Sequence, residues 1–255
     1  MAVRPLLCSS RAGLDFGLRC GRRSFGWSAE DTELKFRVSA EGVNLPKLAG
    51  GISMRTEQRM QTFLEAAGER SIYNCIKALV LVNRFAQKRR EDAANDSSIE
   101  VPWFHRVAFV PSFGKNGTME WMRLRVIGLP LAPAVFSESL GVSTLKVSSK
   151  TPPSALERAI LNEWLQRCAG TKGDPRLAGM GATSISASVK ASAFCLKELT
   201  TRRGAARPFC CFPEMEEVTL AHNDQKATMV YISLEARPLL DKAEETTVKA
   251  DMEES

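Results

Sequence analysis

Leu177-Ala-Gly-Met-Gly-Ala-Thr-Ser-Ile-Ser-Ala-Ser-Val-Lys-Ala-Ser-Ala-Phe-Cys-Leu-Lys197 decides how the rest of the chain is read. It predicts the end of a short strand, a turn, and a long helix built from small residues. The turn carries glycine at 179 and 181, the residue that reaches positive φ or lets another backbone come close. Ile185, Val189, Ala193 and Leu196 then recur at the three- and four-residue spacing of a helix with one buried stripe. Lys190 and Lys197 fall together on a flank of that helix.

The same pattern occurs earlier. Glu65-Ala-Ala-Gly-Glu-Arg-Ser-Ile-Tyr-Asn-Cys-Ile-Lys-Ala-Leu-Val-Leu-Val-Asn-Arg84 lies on it without a gap. Gly68 falls on Gly181, Ile72 on Ile185, Ile76 on Val189, and Lys77 with Ala78 on Lys190 with Ala191. Arg84 then meets Lys197, and Arg89 and Arg90 meet Arg202 and Arg203. A duplication of this kind sets the architecture before any single element is assigned.

Working outward, each copy is expected to read strand, helix, strand, helix, strand, strand. The first spans residues 34–128. Leu34, Phe36 and Val38 alternate with Lys35, Arg37 and Ser39 as in a half-buried strand. A helix opening at Asn44 or Leu45 is expected to carry Leu48 and Ile52 and to reach Met60 to Leu64. The second helix is expected to end near Gln87, followed by a solvated loop, Lys88 to Ser98. Val107 to Val110 and Met122 to Ile127 form two strands around Gly114-Lys-Asn-Gly117, a hairpin signal.

Residues 129–143 read as a linker, and the second copy spans 144–238. There Leu145 and Val147 alternate with Lys146 and Ser148, and Ser154-Ala-Leu-Glu157 is a capping-box pattern. Leu156, Ile160, Trp164 and Leu165 follow at helical spacing. Phe209 to Phe212 and Thr228 to Leu234 pair as strands. Pro111 and Pro213 stand where a third strand would end or bulge. The fold class is thus α/β in the two-layer α+β sense, as two tandem repeats able to pair within the chain as a pseudo-dimer. In each, two helices cover a four-stranded sheet whose first two strands run parallel.

The flanks differ. Residues 1–29 hold Arg4, Arg11, Arg19, Arg22 and Arg23 against the single acid Asp15. That is the composition of a transit peptide, mitochondrial or alternatively plastid, with cleavage expected near residue 25. Residues 239–255 form an acidic tail expected to be disordered. The whole chain has 255 residues and a net charge of +6, which mildly favours polyanionic partners. Its seven cysteines contain no Cys-x-x-Cys pair, and only His105 and His222 could join them. No zinc site, disulfide framework or cofactor is therefore expected. Cys75, Cys168 and Cys195 are expected to be reduced and buried on apolar helix faces.

At this point the residues resemble a family. Val147-Ser-Ser-Lys150, Gly181 with Ser188-Val-Lys-Ala191, and Phe212-Pro-Glu-Met215 are similar to the stage V sporulation protein S family, whose small domain is Alba-like. Val38-Ser-Ala40, Gly68 with Cys75-Ile-Lys-Ala78, and Val110-Pro-Ser-Phe113 repeat the pattern. The resemblance implies binding of RNA or DNA, commonly by paired domains. It also implies a lysine in the loop after the first strand. Lys150 stands there in the second copy, but Glu41 occupies that region in the first.

Nothing in the chain has catalytic spacing, and no enzyme is expected. Neither histidine sits by a recognisable nucleophile, and the glycine turns are not phosphate loops. The expected binding residues are cations. Lys77, Arg84, Arg89 and Arg90 match Lys190, Lys197, Arg202 and Arg203, and Lys150 joins them. Arg37, Arg123 and Arg125, beside Trp121, are expected on an open sheet face where bases could stack. The function expected is non-enzymatic nucleic-acid binding in an organelle, RNA ahead of DNA, by contacts to phosphates. The alternative is a scaffold in an organellar ribonucleoprotein such as the mitochondrial ribosome, acting through protein contacts. A third class, a small-anion module at the helix amino ends, has less in its favour.

Overall fold

Both glycine turns exist. Gly68 has φ 87° and Gly181 φ 80°, a left-handed geometry that glycine reaches without strain. Each opens a long helix after a short strand. The computed structural model describes residues 34–116, 119–130, 141–202, 209–220 and 225–236. In the first half the elements are β1 (Leu34–Val38), α1 (Leu45–Glu57), β2 (Thr62–Ala66), α2 (Glu69–Asn95), β3 (Arg106–Asn116) and β4 (Met119–Leu129). In the second they are β5 (Ser143–Val147), α3 (Pro153–Cys168), β6 (Pro175–Gly179), α4 (Gly181–Arg202), β7 (Phe209–Thr219) and β8 (Lys226–Ala236).

One eight-stranded sheet runs through both halves in the order β1-β2-β4-β3-β7-β8-β6-β5. β1 is parallel to β2 and β5 to β6, and the other neighbours are antiparallel. The halves meet where Phe109 of β3 pairs with Cys211 of β7. These two hold equivalent places, each two residues before the proline that pairs with Leu124 or Ile232. The joint is therefore isologous, as in a two-fold dimer.

Strand side chains alternate between the two faces. Leu64, Phe109, Leu124, Cys211 and Ile232 share one core cluster with Ile76, Leu79, Val189 and Leu199 of α2 and α4. The stripe expected on α4 is buried throughout: Ile185, Val189, Ala193 and Leu196 are at most 6% exposed. On the other sheet face Ala108, Ile127, Leu129, Cys210 and Phe212 form a second, smaller cluster. The Arg106 guanidinium lies 3.9 Å from the centre of the Phe212 ring and grips the Glu235 carboxylate at 3.0 and 2.6 Å. In the helical layer α1 packs on α2, α2 on α4, and α4 on α3.

Several expected boundaries move, each for a local reason. Helix α1 ends at Glu57 and does not reach Leu64, because Arg59 turns left-handed (φ 56°) and the Met60 amide caps the Arg55 carbonyl at 2.9 Å. Met60 is exposed and Leu64 belongs to β2. Helix α2 continues through the stretch expected as a loop. Lys88 to Asn95 are mostly good helix formers, and Gln87 reaches Glu91 one turn on at 2.8 Å. Ser154 is no cap: α3 starts at Pro153, whose fixed φ suits a first turn, with Pro152 as its cap residue. Pro111 and Pro213 stand inside β3 and β7. Both lie past the single pair that joins the two strands, where a missing ladder donor is least costly. β4 runs to Leu129, the first residue of the expected linker. The leader, the tail and residues 131–140 lie outside the described residues.

Cys168 ends α3 and is exposed, against the expectation that it is buried. Cys75 and Cys195 are buried, and burial pushes each thiol up to about 12. Cys211, completely enclosed, is raised for the same reason. Thiolates are the reactive species, so these three stay protonated and inert far above neutral pH. Brief treatment of the native chain with iodoacetamide should label Cys168 first among the described cysteines. Peptide mapping that found Cys75 or Cys195 labelled equally fast would contradict this packing. Among the described residues, no helix is long and apolar enough to cross a membrane.

Candidate nucleic-acid interface

The duplicated cations gather on one flank of α2 and of α4, where Arg84 reaches β7 and Phe194 meets β3 of the other half. Seven residues make almost two helical turns, so Arg70, Lys77 and Arg84 stand in line about 10 Å apart, with Lys88 one turn further. On α4 the same line holds Thr183, Lys190 and Lys197, with Thr201 beyond. Arg84, Lys88, Lys190 and Lys197 are exposed and Lys77 is half-buried. The first line ends in an acid, Glu91, seven residues beyond Arg84 and bonded by Gln87; Glu198 lies on the flank of the second, half-buried. The first turns of the two helices meet where the Thr183 hydroxyl donates to Glu69 Oε2 at 2.6 Å.

The expected residues divide into those brought to this face and those used elsewhere. Lys190 and Lys197 have no side-chain partner among the described residues and project freely. Lys77 is partly engaged, its ammonium 4.3 Å from the centre of the Tyr73 ring. Arg84 donates to the Met215 carbonyl on β7 at 3.4 Å, across the joint between halves. Arg70 and Lys88 were not anticipated. The signal for Arg70 was present in the seven-residue spacing from 70 to 84, and Lys88 lay in the stretch expected as a loop; their counterparts Thr183 and Thr201 carry no charge. Arg70 also bonds Glu41 at 3.3 Å, an exposed pair of little energetic weight.

Arg89 and Arg90 are internal ties. Arg89 pairs with Glu57 of α1 and donates to the Glu100 carbonyl at 3.1 Å. Arg90 donates to the His105 carbonyl at 2.8 Å. Both fasten the end of α2 to its surroundings, so a phosphate would have to displace those partners. Burial lowers the Arg90 guanidinium somewhat, and His105 is held below its ordinary value by burial and by Arg90 and Arg106. Arg202 ends α4, but its side chain, like all of Arg203, lies outside the described residues.

Lys150 is exposed in the turn after β5. Its loop is shaped by Ser148 and Thr151: the Ser148 amide donates to Thr151 Oγ1 at 2.9 Å, and the Lys150 amide to Ser148 Oγ at 3.2 Å. The open sheet face is less free than expected. Arg37 is exposed, but Arg123 pairs with Glu65 at 2.9 Å and lies 5.3 Å from the Phe63 ring centre. Arg125 is half-buried and also engaged. Trp121 lies flat over Gly114, where a Cβ would stand 2.4 Å from the indole.

The second half builds a related arrangement with its parts exchanged. Arg176 of β6 lies 3.7 Å from the Tyr231 ring centre on β8 and pairs with Glu214 at 2.8 Å. By register Arg176 holds the place of Phe63, and Tyr231 that of Arg123. Arginine and aromatic have traded strands, which keeps the stack in each half. No model of a known protein family matches the chain, and a search of curated proteins finds no match to it.

Proposed function

We propose that this chain is a non-enzymatic nucleic-acid-binding protein of an organelle, with RNA ahead of DNA as its ligand. On this reading its halves are Alba-like domains of the stage V sporulation protein S kind, paired within one chain. The observation that carries the reading is the pair of basic lines on adjoining helices, with Lys77 and Arg84 on one and Lys190 and Lys197 on the other. Such an array neutralises phosphates without reading bases.

The test is a titration of the full chain against labelled single-stranded RNA, and against DNA of the same sequence, at two salt concentrations. Four phosphate contacts to a single strand give a slope near −3 in log K against log salt, so affinity should fall roughly fifty-fold between about 50 and about 200 mM. Absence of binding at the lower salt would sink the proposal.

One feature favours the alternative, a scaffold in an organellar ribonucleoprotein. An open trough of about 500 Å³ between α1 and α2 is lined by Gly50, Ser53, Met54 and Phe85 and rimmed by Glu57, Lys88, Arg89 and Asp92, and Met54 is 57% exposed. A protein neighbour seated on Met54 and Phe85, inside that charged rim, would depend less on salt than phosphate contacts do.

A further inference from the structure

We infer that Phe194 is a stacking platform for an unpaired base, so that the second half prefers single-stranded to duplex nucleic acid. The inference rests on the proposed function and adds to it which form of nucleic acid is bound and where. Phe194 is 45% exposed, although it stands in the middle of a helix whose apolar stripe faces elsewhere. It lies one turn beyond Lys190 and one turn before Lys197, with half-buried Glu198 on its other flank. Its ring is backed by Phe113 of β3, with centres 4.5 Å apart and planes inclined at 48°. The ring is therefore braced from behind and open in front, with a cation on either side along the helix.

That combination fits one ligand chemistry. An aromatic face between two cations about 10 Å apart matches an unpaired base with a phosphate to each side. Stacking of this kind is tolerant of sequence because every base has a π-face. A duplex keeps its bases stacked inside and offers phosphates alone. A lipid surface fits less well, because the line holds a single exposed apolar side chain. The half-one counterpart strengthens the case by contrast. Leu81 occupies the same helical position between Lys77 and Arg84, is half-buried, and packs against the core.

The experiment compares the full chain with Phe194→Leu, which gives the second half the residue of the first. The probes are a labelled oligouridine of about twelve nucleotides, its abasic analogue, and a duplex of equal length. The variant should lose about tenfold in affinity for the oligouridine, in the lower part of the range for one stacked base. Its affinity for the duplex and for the abasic strand should be unchanged, as should its salt slope. Phe194→Trp, which keeps an aromatic face, should bind the oligouridine like the parent and guards against a folding defect in the leucine variant.

Equal losses on single strand and duplex, or no loss on either, would overturn the inference while leaving the proposed function standing. A parent chain that bound no probe at low salt would remove both. Binding to vesicles of phosphatidylcholine and phosphatidylserine that depends on Phe194, with oligouridine affinity unchanged, would assign the ring to a lipid surface and overturn it also.

Discussion

Replacing Phe109 by alanine should destabilise the chain by about 3–5 kcal/mol, the range for truncating a buried phenylalanine. Phe109 has 0% exposure and forms the register pair with Cys211 through which β3 meets β7. A void there opens at the joint itself, with core from both halves around it. For a body of this size the midpoint of thermal unfolding should fall by roughly 10 °C. The loss should come as one transition, because the core cluster is continuous across the joint. Ser112→Ala, an exposed position on the same strand, should leave the midpoint nearly unchanged. Two separate transitions in the parent, or a loss below about 1 kcal/mol in Phe109→Ala, would show that the halves are stable independently and the joint is incidental.

That joint was not legible in the sequence, and the reason is physical. The duplication made two equal halves visible, because Ile72, Ile76, Ile185 and Val189 repeat one helical period in register. Pairing between β3 and β7 joins residues far apart in the chain, and no periodicity encodes it. The strand lengths were cut short for a related reason. The outer parts of β3 and β7 carry Ser112, Lys115, Glu214, Glu216 and Glu217, so they lack the apolar alternation that marks a half-buried strand. Their order comes from the ladders with β4 and β8, which continue to Asn116 opposite Met119 and Thr219 opposite Lys226.

The candidate interface divides in the same way. Lys77, Lys190 and Lys197 were readable because helical phase alone decides where they project. Arg89 and Arg90 looked equivalent to them, yet their partners come from α1 and from the segment leading into β3. A cation's freedom depends on what other elements bring near it. The trade of Arg176 and Tyr231 for Phe63 and Arg123 was hidden for a further reason. Each residue alone breaks the repeat, and only the cross-strand register shows that the pair is kept.

Removing the four duplicated cations together, as Lys77→Ala, Arg84→Ala, Lys190→Ala and Lys197→Ala, should weaken RNA binding at low salt by roughly a thousandfold and flatten the salt slope by about three. None of the four is buried, so the fold should survive, apart from the Arg84 bond to the Met215 carbonyl and the Lys77 contact with Tyr73. The loss should not divide evenly between the halves. Lys190 and Lys197 are free to meet phosphates, whereas Lys77 and Arg84 already have partners that binding must displace. The Lys190 and Lys197 double variant should therefore lose more affinity than the Lys77 and Arg84 double variant. Arg89→Ala should do the reverse of both. It breaks the tie to Glu57, so it should lower the unfolding midpoint and leave the salt slope alone. If instead Arg89→Ala abolished binding in a fully folded chain, the phosphate contacts would lie at the end of α2, and the basic lines on α2 and α4 would be only a solvated surface.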